Sequence, residues 1–386
     1  MALTPWLSHF KTDFELARRR RQESIAFDAL RCEAFDRFLL LGCPTPADEH
    51  WRFIDITPIA ETNFTLGAEP SRDASADQTA ASPFGGGGDI VLTFVNGYFV
   101  RDASKIHGLP DGALVAPLKS VLGSDAPEPG SYFAQIARVD CLPFVALNTA
   151  LFEDGACIAI PPNTTIDRPI HLRFICNGES DAKPAMTQPR ALIVVGDHSA
   201  ATVVESYAGA DVGYFTNAVT EVVLGDGAQL QHQRLQHESA AAYHISAAHV
   251  VVARGAMYLA QSTNTGGVLA RSETMVLLAG EHARCVIDAS SEARSASLVN
   301  VHTAIDHAAA NCVSRQRCNW TLGDNAVGVA SGRTVVRADA HNCRVRHANR
   351  ALLLSPTARI DVKPAFEILA KEFAFARSSR VVVGSG

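Results

Sequence analysis

Between residues 193 and 317 the chain returns again and again to one phrase: an apolar strand, a turn of Gly, Asp, His or Ser, an alanine, and another alternating strand. It reads VVGDHSAATVVE, VVLGDGAQLQHQ, VVARGAMYLAQ, LLAGEHARCVID and AIDHAAANCVSR. The alanines at the turn exits are Ala200, Ala228, Ala256, Ala283 and Ala309, at intervals of 28, 28, 27 and 26 residues. A nearly constant period of this size marks a repeat architecture. Each period carries two or three short strands and no helix for a crossover. Strands joined this way can pair in parallel if the chain coils, each turn stacking on the one before. The expected fold is therefore mainly β, a parallel β-helix, with an antiparallel β-sandwich as the competing arrangement of regular short strands. The period leaves open whether 28 residues make one wide rung or two narrow ones. Alternation sets Leu230, His232 and Arg234 against Gln229, Gln231 and Gln233 as inner and outer faces.

The rest of the chain divides around this repeat. Residues 1–65 form an N-terminal helical region, with Phe10, Phe14 and Ala17 and then Phe27, Leu30, Phe35 and Phe38 at helical spacing. Gly42, Pro44 and Pro46 supply the stop. The run Arg18 to Arg21 reads as a solvated helix face, and EHWRFIDITPI (49–59) as an extended segment with a proline corner. Residues 66–88 have linker composition. Their Gly85–Gly88 run lacks a following Lys-Ser/Thr and opens a strand, so it is a connector and not a phosphate loop. Residues 89–144 mix a hairpin at Asn96-Gly97 with short helices at 116–122 and 132–139. The β-helix is expected over 145–370, with Pro356 and Pro364 at turns, and a divergent tail over 371–386.

Several function classes lose support. A net charge of −6 gives no global attraction to nucleic acid or anionic membrane. No stretch approaches the ~20 apolar residues of a membrane span, and the N-terminus lacks the apolar core of a secretory signal. Nine cysteines, an odd number with no Cys-x-x-Cys, suit a reducing cytoplasm. His232, His237, His244 and His249 invite a metal reading. His232 and His237 are five apart and face opposite ways on an unbroken strand, so one shared ion is not expected, and the competing reading is histidines on the outer face of a solenoid. Cys312 and Cys318 share parity but stand ~20 Å apart along a strand, and read as buried structural thiols. Carboxylates such as Asp154 and Glu205 find no partner by inspection, and no G-x-S-x-G, H-E-x-x-H or G-x-x-x-x-G-K occurs. No catalytic, cofactor-binding or metal-ligating residue is assigned, which favours a scaffold or binding surface.

Three segments then become recognisable together: VNGYFV (95–100), FVALNTALFEDGACIAIPPNTTIDRPIHL (144–172) and NRALLLSPTARIDVKPAFEILA (349–370). With EHWRFIDITPI as the N-terminal tryptophan motif, they strongly resemble the SufD family of iron–sulfur cluster assembly proteins, from about residue 10 to 370. The resemblance implies an N-terminal helical domain, a right-handed parallel β-helix and a C-terminal helical domain. It implies a non-catalytic, cytoplasmic subunit that pairs with SufB through the C-terminal edge of the β-helix, holds the ATPase SufC by its last domain, and binds no cofactor by itself. The cluster is assembled transiently with the partners. The interface candidates carried over are Leu353, Pro364, Phe366, Glu367, Ile368, Phe375 and Arg377. The family's Cys-Ser-His motif falls on AFARSS, which places its cysteine at Phe375 and its histidine at Arg377. Phenylalanine offers no ligand atom and arginine stays protonated. With the helical domain missing from the sequence, the expectation is a truncated, impaired subunit that does not hold SufC alone. In HNCRVRH (341–347), His341, Cys343 and His347 are expected on a basic solvent-facing rung and not as substitute ligands. Two other readings stand beside this one. A secreted-type β-helix carbohydrate-active enzyme would need a charged groove and a signal peptide. A self-associating β-helix module would form homodimers through its open end.

Overall fold

The computed structural model describes residues 7–21, 24–70, 90–122, 130–140, 142–178 and 183–383. From Arg190 onward, successive strands alternate between two sheets, and neighbouring strands within each sheet run parallel. One sheet stacks Ala156–Ile160, Arg190–Val195, Phe215–Leu224, Tyr243–Val252, Leu269–Leu278, Leu298–His307, Val327–Val336 and Arg359–Ile368. The other stacks Ile90–Val95, Ile170–Cys176, Ala200–Gly209, Gln229–His237, Met257–Thr265, Arg284–Ala293, Val313–Leu322, Cys343–Leu353 and Phe373–Val383. Each sequence period is thus one wide rung of two strands. The fold is a parallel β-helix, and the parallel pairing rules out the sandwich.

The rung spacing is visible at one corner. Gln229, Met257, Arg284, Val313 and Arg344 donate their amides to the carbonyls of Ser199, Ala228, Ala256, Ala283 and Cys312, at 2.8–3.0 Å. The inward column at this corner is therefore Ser199, Ala228, Ala256, Ala283, Cys312 and Cys343, all buried. Ala200 lies one residue past that column and Ala309 three before it, so they are not equivalent to the other three alanines. The residue before each member has a left-handed backbone: His198, Gly227, Gly255, His282, Asn311 and Asn342, with φ of +56° to +67°. Glycine and asparagine favour that conformation, and a small side chain after it lets the strand enter the core without crowding.

The interior holds apolar columns such as Ile90, Ile170, Val203 and Ile158, Ile193, Val222. Helices α1 (Leu7–Arg20) and α2 (Ile25–Leu41) pack through Phe14 stacked on Phe35 at 4.2 Å and Phe10 edge-on to Phe38 at 5.3 Å. Ser24 caps α2, accepting from the Phe27 amide, and Gly42 ends it at φ +70°. Asn96 and Gly97, both at positive φ, turn the hairpin that pairs Val95 with Tyr98.

Several local expectations are corrected. Residues 49–59 are not extended: a 3₁₀ turn at Glu49–Trp51 is followed by α3 (Thr57–Glu61). Trp51 is buried there, 5.4 Å from Phe144, with the Arg271 guanidinium over its ring at 4.1 Å. Helix α4 covers Leu118–Leu122, but no helix forms over 132–139. Ala134 has φ +58°, and the amides of Ala134, Ile136 and Ala137 donate to the Glu221 carboxylate, each at 2.9 Å. A side chain has replaced the helix's own carbonyls as acceptor. Residues Pro143–Leu151, where strands were expected from 145, form α5. The Arg18–Arg21 run is only partly solvated. Arg21 donates to the carbonyls of Ala150, Leu151 and Phe152 at the end of α5, and with Arg20 it pairs with Glu153. Helix-end carbonyls lack internal donors, and buried cations satisfy them well. Leu66, the first residue of the linker segment, lies in a short strand with Thr65, paired to Ala185–Met186. The Gly85–Gly88 run and the rest of 71–89 lie outside the described residues.

Candidate docking edge

The last described rung of the solenoid consists of Arg359–Ile368 and Phe373–Val383, and among the described residues each strand pairs on one side only. Phe373–Val383 continues the solenoid where a divergent tail was expected. Its exposed side chains include Phe373, Phe375, Val381, Val382 and Val383. The register explains why. Cys343, Val345 and His347 face the core one rung below, and Phe373, Phe375 and Arg377 sit directly over them. These are interior-facing positions left without a rung above. Phe375 is 39 % exposed for that reason, although its ring meets Phe366 at 4.6 Å. The Phe366 ring in turn lies 6.0 Å from that of His347.

The seven sequence-derived interface residues therefore fall on the last two rungs. Leu353 ends its strand under Val383. Pro364, Phe366, Glu367 and Ile368 lie on one edge strand and Phe375 and Arg377 on the other. Glu367 pairs with Arg333 one rung below. Pro364 is not at a turn but in mid-strand, opposite Gly332. Arg359 and Leu369 donate to Ala326 and Val336, so odd-numbered amides point into the sheet and even-numbered ones outward. The donor that Pro364 lacks would face open solvent, so the ladder loses nothing. Sequence reading missed Leu369, Phe373, Val381 and Val383. The alternation FAFA and the β-branched run RVVV carried that signal.

Other singled-out residues turn inward. His232 and His244 face the interior and not the outer face; His237 is exposed, and His249, in register with Glu221, lies on the outer side of its sheet but is buried there. His232 Nε2 lies 3.2 Å from Glu205 and its Nδ1 2.8 Å from the Tyr258 hydroxyl. Glu205 also accepts from Tyr207 and Thr220. Burial alone would raise its carboxyl, but His232 beside it and these donors hold it at about 2. His244 meets Glu238 at 2.8 Å. Asp154 accepts from the amides of Lys119 and Gly155, and burial pushes it up to about 6. Among the described residues, no group of three or more His, Cys, Asp or Glu converges as metal ligands. HNCRVRH alternates instead of forming a uniformly exposed rung. His341, Arg344 and Arg346 point out, while Cys343 and His347 point in because strand periodicity outranks charge similarity. Burial, helped by Arg377, lowers the His347 imidazole to about 4. Arg377 thus brings a cation over a neutral imidazole at the open end.

Comparison with known proteins fits this geometry. Residues 174–381, which include most of the final strand, match the family described as "SUF system FeS cluster assembly, SufBD core domain", and residues 6–172 match "SufBD protein N-terminal region". The match continues past Ala370, where the resemblance in sequence was read as ending. A protein of Synechocystis sp. named as an iron-sulfur cluster assembly SufBD family protein is 27 % identical, covering 96 % of this chain and 84 % of its own. The chloroplastic protein ABCI7 of Arabidopsis thaliana is 23 % identical over 90 % of this chain and 74 % of its own. The iron-sulfur cluster assembly protein SufD of Escherichia coli is 23 % identical over 89 % and 78 %.

Proposed function

The chain belongs to the SufBD family of the SUF system for iron–sulfur cluster assembly, and from that membership we propose that it is a SufD-type scaffold subunit that docks a SufB subunit on its open terminal rung. The observation that carries the proposal is the rung itself: Phe373, Phe375, Val381 and Val383 present core-facing apolar surface at an unpaired sheet end. A second solenoid laid against that end would cover the apolar columns and pair the free backbone groups, as another rung would.

In this role the chain contributes position and not chemistry. The cluster is cargo of the assembled complex. Phe375 and Arg377 offer it no ligand, so its ligands come from the partner. The described residues after Ala370 form a strand. On the family resemblance SufC is held by helices, so these described residues are not proposed to hold it; SufC is expected to join through SufB. The eight described cysteines are free thiols, which supports a reducing compartment, and we assign the chain to the cytoplasm. No helix among the described residues is long and apolar enough to cross a membrane.

Co-expression with tagged SufB tests the reading. The native chain should be recovered with SufB in equal amounts, and Phe375→Asp, which places a charge on the apolar end, should lower recovery at least tenfold. SufC should be retained at micromolar concentration only when SufB is present. Equal recovery of the Phe375→Asp chain would show that docking occurs elsewhere. A homodimer that persists with SufB in excess would replace the heterodimer by self-pairing on the same edge.

A further inference from the structure

The small-residue column at the solenoid corner changes character in its last two members. Ser199, Ala228, Ala256 and Ala283 are followed by Cys312 and Cys343, on consecutive rungs and both fully buried. The register stacks one over the other: Val313 pairs with Arg344, and the Arg344 amide donates to the Cys312 carbonyl at 2.9 Å. Both sit in a pocket of backbone groups: the Cys312 thiol lies 3.3 Å from the Gly280 carbonyl and the Cys343 thiol 3.4 Å from that of Ala309. The next position of the column is the exposed Phe373, so a single rung separates this pair from the open end.

We propose that Cys312 and Cys343 form a two-thiolate clamp for a soft, closed-shell metal cation of the copper(I) class. Parallel strands hold equivalent side chains about 4.8 Å apart. A disulfide needs its sulfurs at about 2.05 Å and its Cβ atoms near 3.8 Å, which two regular rungs reach only by distortion. Two metal–thiolate bonds of about 2.3 Å, laid end to end, span about 4.6 Å, close to the rung spacing. Thiolates select soft ions, and the absence of a third ligating side chain among the described residues suits linear coordination and not the tetrahedral site that zinc requires. Binding releases both thiol protons. The alanines one, two and three rungs below supply a control from the fold itself: alanine fits this column without a gap.

The test is copper(I) titration of the reduced full-length chain under anaerobic conditions, against a chromogenic copper(I) chelator, with X-ray absorption on the loaded protein. One equivalent should bind, with two sulfur neighbours. Cys312→Ala and Cys343→Ala should each reduce that equivalent to none while keeping the native circular dichroism. Cys285→Ala, which removes a buried thiol outside the column, should leave it intact. Lowering the pH from 8 to 6 should weaken binding by at least tenfold, because two protons must leave. Failure of the native chain to retain copper, retention by the Cys312→Ala chain, or nitrogen in the first coordination shell would each overturn the proposal. None of these readouts depends on docking to SufB.

Discussion

His307 is fully buried, with Nε2 2.8 Å from the Ser314 hydroxyl. Burial pushes its imidazole down from the usual 6.5 to about 4, although Asp306 works in the other direction. Between those two values the unfolded chain binds a proton that the folded chain refuses. Stability therefore falls as pH drops through 6.5 towards 4, and it is unaffected above that window. At pH 5 the loss from this one residue is about 2 kcal/mol, taking about 1.4 kcal/mol per pH unit. Urea melts at pH 7.5 and 5 should show that loss in the native chain, and a His307→Asn chain should lose about 2 kcal/mol less between the same two values. Arg190 and Glu221 make a different kind of demand. Both are fully buried and paired, and Glu221 also receives three amides from residues 134–137. Removing one charge strands the other, so Arg190→Ala should cost roughly 3–5 kcal/mol in a urea melt. Adding Glu221→Gln should restore only part of that, since the three amides would lose their charged acceptor.

At the scale of the strand, Pro364 carries the clearest expectation. Its missing amide faces outward on an edge, so Pro364→Ala should change stability by less than about 1 kcal/mol. It should also give a neighbouring strand a donor to pair with. Light scattering should then show more self-association than in the native chain, as expected when an edge loses its protection. This strand also shows what could be read before the structure. The period near 28 announced stacked coils, and alternation placed Leu230, His232 and Arg234 inside. Which alanine belonged to the column could not be read, because Ala200 and Ala309 sit beside it and the members that matter there are Ser199 and Cys312. Nor could the helix over 143–151 be separated from a buried strand. PFVALNTAL is apolar but for Asn148 and Thr149, and it is helical because it lies between the α2 helix and the outer side of a sheet. The position of the terminal rung was legible, from family-like residues up to Ile368. It was not legible in its extent, since strand continuation over 373–383 depends on register with Cys343–Leu353 and not on any local motif.

For the whole molecule, rung-on-rung construction means that each turn leans mainly on its neighbours. The terminal rung has one neighbour, so amide exchange should be fastest over 359–383 and slow towards the middle strands. Binding of SufB should slow the terminal rung by at least tenfold and leave residues 215–252 unchanged. Uniform slowing along the solenoid would mean that docking acts on the entire stack.

The segment at Glu49–Trp51 does not follow this neighbour rule. Trp51 rests under Arg271, the His50 ring meets that of His302 at 5.2 Å, and Glu49 reaches Lys363 on the final rung at 3.6 Å. During synthesis this segment leaves the ribosome well before the surface it settles on, which is not complete until more than three hundred residues later. It must wait, loosely held, while the coils wind up beside it. Trp51 would then acquire its buried environment last, making its fluorescence a clock for the closing step of folding.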